Sequence, residues 1–172
     1  MFDSLSRAVI RLQPVDDVAF EAFLQRAISR RAERWVRRGI WTPEAGLAAS
    51  REAYAEIFPQ GRLTAHQQVC DVVESDTGAR VGDVWYSTRE SGGKVDFEIN
   101  WLGIEPGYRR RGYATRVLGL LEAEARSLGA ERTRLTVWMD NPDARRLYHK
   151  LGYTTQTVGL VKSVETNLSS KE

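Results

Sequence analysis

Three groups of residues in this chain have the types and spacing to do chemistry. Asp96, Glu98 and Asn100 alternate with Val95, Phe97, Ile99 and Trp101. In an extended segment that alternation puts the polar side chains on one face and the apolar ones on the other. A carboxylate held there can take a proton from an amine, or hold the water that does. Arg109, Arg110 and Arg111 run directly into Gly112-Tyr113-Ala114-Thr115, where an apolar segment gives way to a helical one. The first N–H groups of a helix are unpaired and its dipole is positive at that end, so this junction suits an anion. Gly112 lets a bulky phosphate approach the backbone, and Ala114 is small enough not to block it. Tyr148 is the third group: a phenol that can donate a proton to a leaving group.

Other reactive side chains offer less. Imidazole is a common metal ligand and proton carrier, but neither His66 nor His149 has a second ligand at metal-like spacing, so no metal site is expected. Cys70 is alone. It reads as a core residue, because no base is identifiable beside it. Among phosphate loops, Gly107 and Gly112 have the gap of a Walker A loop, but Tyr113-Ala114 replace its Lys and hydroxyl. The dinucleotide fingerprint GxGxxG is absent as well. What remains is [Arg/Gln]-x-x-Gly-x-[Gly/Ala], met by Arg109, Gly112 and Ala114, or else a solvated arginine-rich turn.

These groups need elements to position them. A first strand is expected around Ala8–Leu12, ended by Pro14. A helix follows from Asp16 to about Arg38, with Phe20, Phe23, Leu24, Ala27, Ile28 and Trp35 at helical spacing. Thr42-Pro43-Glu44 opens a second helix, which Pro59-Gln60-Gly61 ends. Three strands are expected at Gln67–Glu74, Arg80–Thr88 and Lys94–Ile104, with Glu90–Gly93 as a hairpin loop. Trp101-Leu102-Gly103-Ile104 is apolar on both faces, as in a central buried strand. A helix from Gly112 to Leu128, a strand from Thr133 to Trp138, a helix from Asn141 to Lys150 and one or two strands in Tyr153–Val164 complete the order. The chain between Ile104 and Thr133 is long enough for a parallel crossover. The expected fold is α/β (α+β): a mixed, mostly antiparallel sheet with one parallel pair and helices on both faces. It is read as one domain over residues 1–164, with a frayed tail at 165–172.

Length and charge bound the remaining classes. At 172 residues with five Trp, six Tyr and five Phe, the chain can bury one core and is not disordered. No apolar run approaches the roughly 20 residues of a membrane helix. The N-terminus has no basic segment followed by an apolar one, and a lone cysteine suits a reducing compartment, so the expected location is the cytoplasm. The net charge of +2 is too balanced to imply nucleic-acid binding. The arginines are nevertheless uneven. Arg26, Arg30, Arg34 and Arg38 recur every four residues, which makes one helical strip, expected to be a solvated face. Trp41, in the connection that follows, is a candidate pocket residue.

From Gln67 to Val164 the chain resembles the GNAT superfamily of acyl-CoA-dependent N-acyltransferases, and the two early helices fit the same order. The loop Arg109–Ala114 carries one family signature. Asn141, Tyr148 and Leu151-Gly152-Tyr153 carry the second, in order and at suitable spacing. The resemblance implies that Arg109, Arg110, Arg111, Gly112, Tyr113 and Ala114, with Thr115 beside them, hold the pyrophosphate of acetyl-CoA through backbone amides. Leu102, Gly103 and Ile104 would hold the pantetheine arm by β-like backbone bonds, and Asn141 joins the cofactor-binding set. It further implies Tyr148 as the acid that protonates the thiolate, and the backbone N–H near Leu102 as oxyanion donor. Glu98, fourteen residues before Gly112, stands where histone-acetylating members keep a general base, with Asp96 and Asn100 able to hold a water instead.

The expected activity is N-acetyl transfer from acetyl-CoA to a primary amine by direct attack in a ternary complex. The alternative is a CoA-binding GNAT fold without turnover, a sensor or binding module. The first two helices of the family wall the acceptor pocket, where the arginine strip could attract an acidic substrate. Partners are acetyl-CoA and an amine acceptor, small molecule or peptide. No membrane and no nucleic acid are expected, and the resemblance allows a homodimer.

Overall fold

The computed structural model describes residues 9–162. Its first unit, up to Thr136, is organised by five strands: β1 (Ile10–Pro14), β2 (Gln67–Glu74), β3 (Arg80–Ser91), β4 (Lys94–Ile104) and β5 (Thr133–Leu135). They lie in the order β1-β2-β3-β4-β5. The first four pair antiparallel and β5 joins β4 parallel. Pro14 is the last residue of β1 instead of its stop, which an edge strand tolerates because nothing needs its missing N–H. The β3–β4 hairpin runs further than its sequence suggests. Gly92 and Gly93 alone make the turn, with φ of 59° and 74°, so pairing continues out to Ser91 and Lys94.

Helices cover both faces. α1 (Asp17–Arg37) and α2 (Pro43–Ile57) start on caps the sequence announces. Asp16 Oδ1 accepts from Ala19 N–H at 2.8 Å, and Thr42 Oγ1 from Ala45 N–H at 3.3 Å. Their apolar faces meet Trp85 of β3. Phe23 lies edge-on to it at 6.3 Å, Tyr54 is at 6.0 Å and Phe58 at 5.2 Å. Each such ring pair contributes about 0.5–1.5 kcal/mol beyond the area it buries. The next residue, Tyr86, points to the opposite face, where it stacks on Phe97 at 4.8 Å. α3 (Tyr113–Ser127) covers that side and fully buries Val117, Leu118 and Leu121.

One irregularity shapes the site. Trp85 is opposite Trp101 and Tyr86 is opposite Ile99, so Asn100 is an extra residue on β4. Such a bulge bends its strand and ends regular pairing. The parallel pairing with β5 stops at the same place, since Leu135 opposes Ile99 and is the last paired residue. Within the first unit, β4 from Asn100 onward is therefore paired on the β3 side alone. Trp101, Leu102, Gly103 and Ile104 are half-buried, unlike the fully enclosed strand their composition suggests.

The second unit begins at Val137. It holds α4 (Pro142–Lys150), with Pro142 in the first turn and Asn141 Oδ1 accepting from Ala144 N–H at 3.2 Å. The strands expected in Tyr153–Val164 are not found among its described residues: 153–162 carry none. Composition favours a strand there, but strand propensity expresses packing on a pleated, half-buried surface. Val158, Leu160 and Val161 have no such surface and are 62%, 94% and 97% exposed. The expected tail, 165–172, lies outside the described residues.

Candidate active site

The start of α3 differs from the other helix starts. Gly112 takes the left-handed conformation, φ 78°, and no side chain caps the helix. The first intrahelical bond is Arg116 N–H to Gly112 O at 3.2 Å. The N–H groups of Tyr113, Ala114 and Thr115 are thereby left as the helix's orphan donors. Arg110 is also left-handed, φ 62°, and this strains any residue with a Cβ by roughly 1–2 kcal/mol. Gly112 and Arg110 are thus two left-handed residues within three positions of the uncapped helix start.

Side chains fix this loop from outside. Arg109 Nε donates to Ile104 O at 2.9 Å, tying the loop to the end of β4. Tyr113 turns its ring inward, is buried, and donates its hydroxyl to Glu74. That bond holds the Glu74 carboxyl below its ordinary range and raises the phenol above its own. Tyr113 thus anchors the helix, and only its backbone N–H is left at the loop. Arg116, one turn into α3, donates to Arg111 O at 3.3 Å and lies over the Tyr113 ring at 4.5 Å. Arg110 and Arg111 remain exposed.

A buried polar network holds β4 in place. Asp83 of β3, 5% exposed, accepts from Trp101 Nε1 at 2.5 Å, from Arg26 at 2.9 Å and from Arg80 at 3.0 Å. Arg80 also bonds Asp71 of β2 at 2.6 Å and Glu105, where the loop begins, at 2.5 Å. Burial works against the Arg80 charge, but the bonds to Asp71 and Glu105 outweigh it and raise its pKa. The Trp101 indole lies so close to Gly103 that a Cβ there would sit 2.8 Å from its Cζ2. Arg30 lies over the indole, its guanidinium carbon 3.8 Å from the ring centre. The solvated arginine strip expected on α1 is thus overturned at Arg26 and Arg30: both face the sheet. Trp41 is half-buried, 5.6 Å from the Trp35 ring.

Glu98 lies on the same face of β4 further back, in a cleft of about 500 Å³ whose lining includes Ser87, Arg89, Glu90, Asp96 and Arg134. Asn100, the bulge residue, is exposed and bonds Ser87 Oγ at 2.9 Å. His66, at the rim, is left-handed, φ 63°, with its ring 3.4 Å from Thr88 Oγ1. Burial pushes the Cys70 thiol up to about 11, which makes it inert at neutral pH. Among the described residues no group of three or more His, Cys, Asp or Glu side chains could hold a metal. No helix is long and apolar enough to cross a membrane.

In the second unit, Tyr148 of α4 is half-buried beside Tyr153, ring centres 5.7 Å apart. Burial, and then the neighbouring Tyr153, raise its pKa, so the phenol keeps its proton at any physiological pH. Asn141 uses its side-chain oxygen to cap α4. His149 is exposed in the last turn.

Comparison with known proteins decides the family: the family model described as "Acetyltransferase (GNAT) family" matches residues 25–153. The chain belongs to the GNAT acetyltransferases. The uncharacterized N-acetyltransferases YdgE and YycN of Bacillus subtilis (strain 168) are 29% and 28% identical to it. The alignments cover 89% and 90% of this chain and 97% and 99% of theirs. The solved YycN structure superposes with a TM-score of 0.83 at 27% identity, over 92% of this chain and all of that one. A transcriptional regulator from Bacillus halodurans C-125 reaches 0.62 at 17% identity over 91% of this chain and all of its own. That likeness is one of fold alone.

In this GNAT protein, the sequence-predicted cofactor residues of the first unit fall on one continuous stretch: the bulged end of β4, the loop, and the first turn of α3. Glu98 lies apart, across the bulge, in the cleft. Sequence reasoning missed Arg116, which stands one helical turn after Gly112 and bonds back to the loop. It also missed Asp83, the single acid in the apolar first half of β3. Arg134 was hidden because three residues of β5 are too few to show alternation.

Proposed function

We propose that the protein transfers the acetyl group of acetyl-CoA to a primary amine by direct attack. The observation that carries this is the start of α3. Three orphan N–H groups and two exposed guanidiniums follow directly on a strand whose outer edge is unpaired within its unit. The residues present suit a pyrophosphate at the loop and an extended amide-bearing arm along Leu102, Gly103 and Ile104. The amine nitrogen attacks the thioester carbonyl carbon. Its proton passes to Glu98, directly or through a water on Asp96 and Asn100. The C–N bond forms, the C–S bond breaks, and the thiolate leaves with the proton of the Tyr148 phenol. Backbone N–H near Leu102 steadies the oxyanion. Tyr148 is assigned from the Asn141…Tyr148…Leu151-Gly152-Tyr153 signature and from a phenol that stays protonated. A reducing cytoplasm is the proposed setting, in keeping with one free thiol.

CoA release with an amine panel tests the reading. Tyr148→Phe keeps the ring and removes the acid, so turnover should fall on the order of 10²-fold with acetyl-CoA affinity intact. Because the phenol titrates above its ordinary value, wild-type kcat should not fall through loss of this acid anywhere near neutral pH. Near-normal turnover of the Phe variant would assign Tyr148 to packing.

A further inference from the structure

The cleft around Glu98 has a charge pattern that says more about the acceptor. In register, Ser87, Glu98 and Arg134 form one row across β3, β4 and β5, and Arg89 and Asp96 form a neighbouring row. Each row sets a carboxylate directly opposite a guanidinium. Facing opposite charges in a sheet ordinarily close on each other. Elsewhere in this unit they do so: Arg80 binds three carboxylates, Arg26 binds Asp83, and even exposed Lys94 reaches Glu131 at 3.0 Å. Among the described residues, Glu98, Asp96, Arg89 and Arg134 make no ion pair at all. They line one cleft of about 500 Å³ instead, with Glu90 adding a third acid.

We propose that this cleft takes an acceptor that is itself zwitterionic, a small amine that also carries a carboxylate, the chemistry of a free amino acid. The inference rests on the acetyl-transfer reading above and deepens it. The ammonium approaches Glu98 and Asp96, and the carboxylate is held by Arg134, one strand away. A bidentate guanidinium–carboxylate contact fixes the orientation of a molecule this small. The volume is within the range of small-molecule sites, about 300–1,000 Å³, and leaves room for a side chain or a second residue. The chemistry also explains release. Transfer replaces an ammonium by a neutral amide: the ammonium first gives one proton to solvent, the amine nitrogen so freed gains the acetyl carbon and gives a second proton to Glu98, and sulfur leaves with its bonding pair and the proton of Tyr148. The product keeps its carboxylate and has lost the cation that three acids attracted.

The test compares free L-amino acids, the corresponding amino-acid amides and decarboxylated amines as acceptors, read as kcat/KM for CoA release. The free acids should exceed their amides at least ten-fold. Arg134→Gln should collapse that ratio toward one by raising KM for the acids, and Arg134→Lys should restore part of it. Equal or better turnover of amides, simple amines or polyamines by the wild type would overturn the proposal. An unchanged acid-to-amide ratio in Arg134→Gln would overturn it as well. Calorimetric titration with acetyl-CoA separates the two readings. Binding with no turnover of any amino acid overturns the zwitterion cleft alone, and absence of binding overturns the transferase reading beneath it.

Discussion

Arginine occurs at high density in two regions of this molecule, and the two regions use it oppositely. On α1, Arg26 bonds the buried carboxylate of Asp83 and Arg30 lies flat on Trp101. Their charge is consumed inside the fold, where it fastens a helix to the strand that enters the site. Before α3, Arg110 and Arg111 are exposed and form no ion pair among the described residues. They stand beside a helix start without a cap, in a loop that accepts a left-handed arginine to keep its shape. The same side chain therefore builds structure where an acid meets it. It stays exposed where orphan backbone donors lie beside it and no carboxylate among the described residues closes an ion pair with it. Count and spacing alone do not separate the two cases.

The contrast is open to attack at its structural end first. Asp83→Ala would strand Arg26, Arg80 and the Trp101 N–H together around one missing acceptor. Breaking a buried ion pair from one side costs about 3–5 kcal/mol, so urea unfolding should show a loss of that size. A loss below about 1 kcal/mol would mean that solvent satisfies these groups and that α1 is held by its aromatic face alone.

A smaller effect sharpens the ligand-binding end. Arg110→Gly removes the left-handed penalty of roughly 1–2 kcal/mol but adds backbone entropy of about 0.5–1 kcal/mol to the unfolded chain. Thermal unfolding should show the variant equal to the wild type or up to about 1.5 kcal/mol more stable, with weaker acetyl-CoA binding. Stability gained at the expense of affinity is the mark of a residue kept for a ligand. A variant that lost stability would move Arg110 to the structural group.

Much of this was legible in the sequence, for physical reasons that differ by region. The element order, the capped starts of α1, α2 and α4, and the β4 alternation as far as Ile99 follow from local chemistry that neighbouring residues carry themselves; beyond the bulge Trp101 lies on the α1 side, opposite Phe97, and not on the face the alternation predicts. The uncapped loop was legible because Gly112 and three arginines stand where an apolar strand becomes a helix. What failed was non-local. Period four on α1 shows that Arg26 and Arg30 share a face, yet only the fold shows that Asp83, 57 residues away from Arg26, receives it. The bulge at Asn100 leaves no signature in β4 because it is defined by the partner strand. The expected final strands had suitable composition, but 153–162 find no pleated surface to lie on among the described residues.

The central claim is that the bare start of α3 is an anion site for acetyl-CoA, and isothermal titration of acetyl-CoA into wild-type protein and Gly112→Asp tests it most directly. The aspartate would place a carboxylate at the orphan N–H groups of Tyr113, Ala114 and Thr115, competing with the phosphates for the same donors. A charged hydrogen bond contributes about 1.5–3 kcal/mol, so the variant should bind roughly ten- to a hundred-fold more weakly while its far-ultraviolet circular dichroism stays that of the wild type. Equal affinity in a folded Gly112→Asp protein would contradict the account, because the phosphates would then have to be held somewhere other than the start of α3.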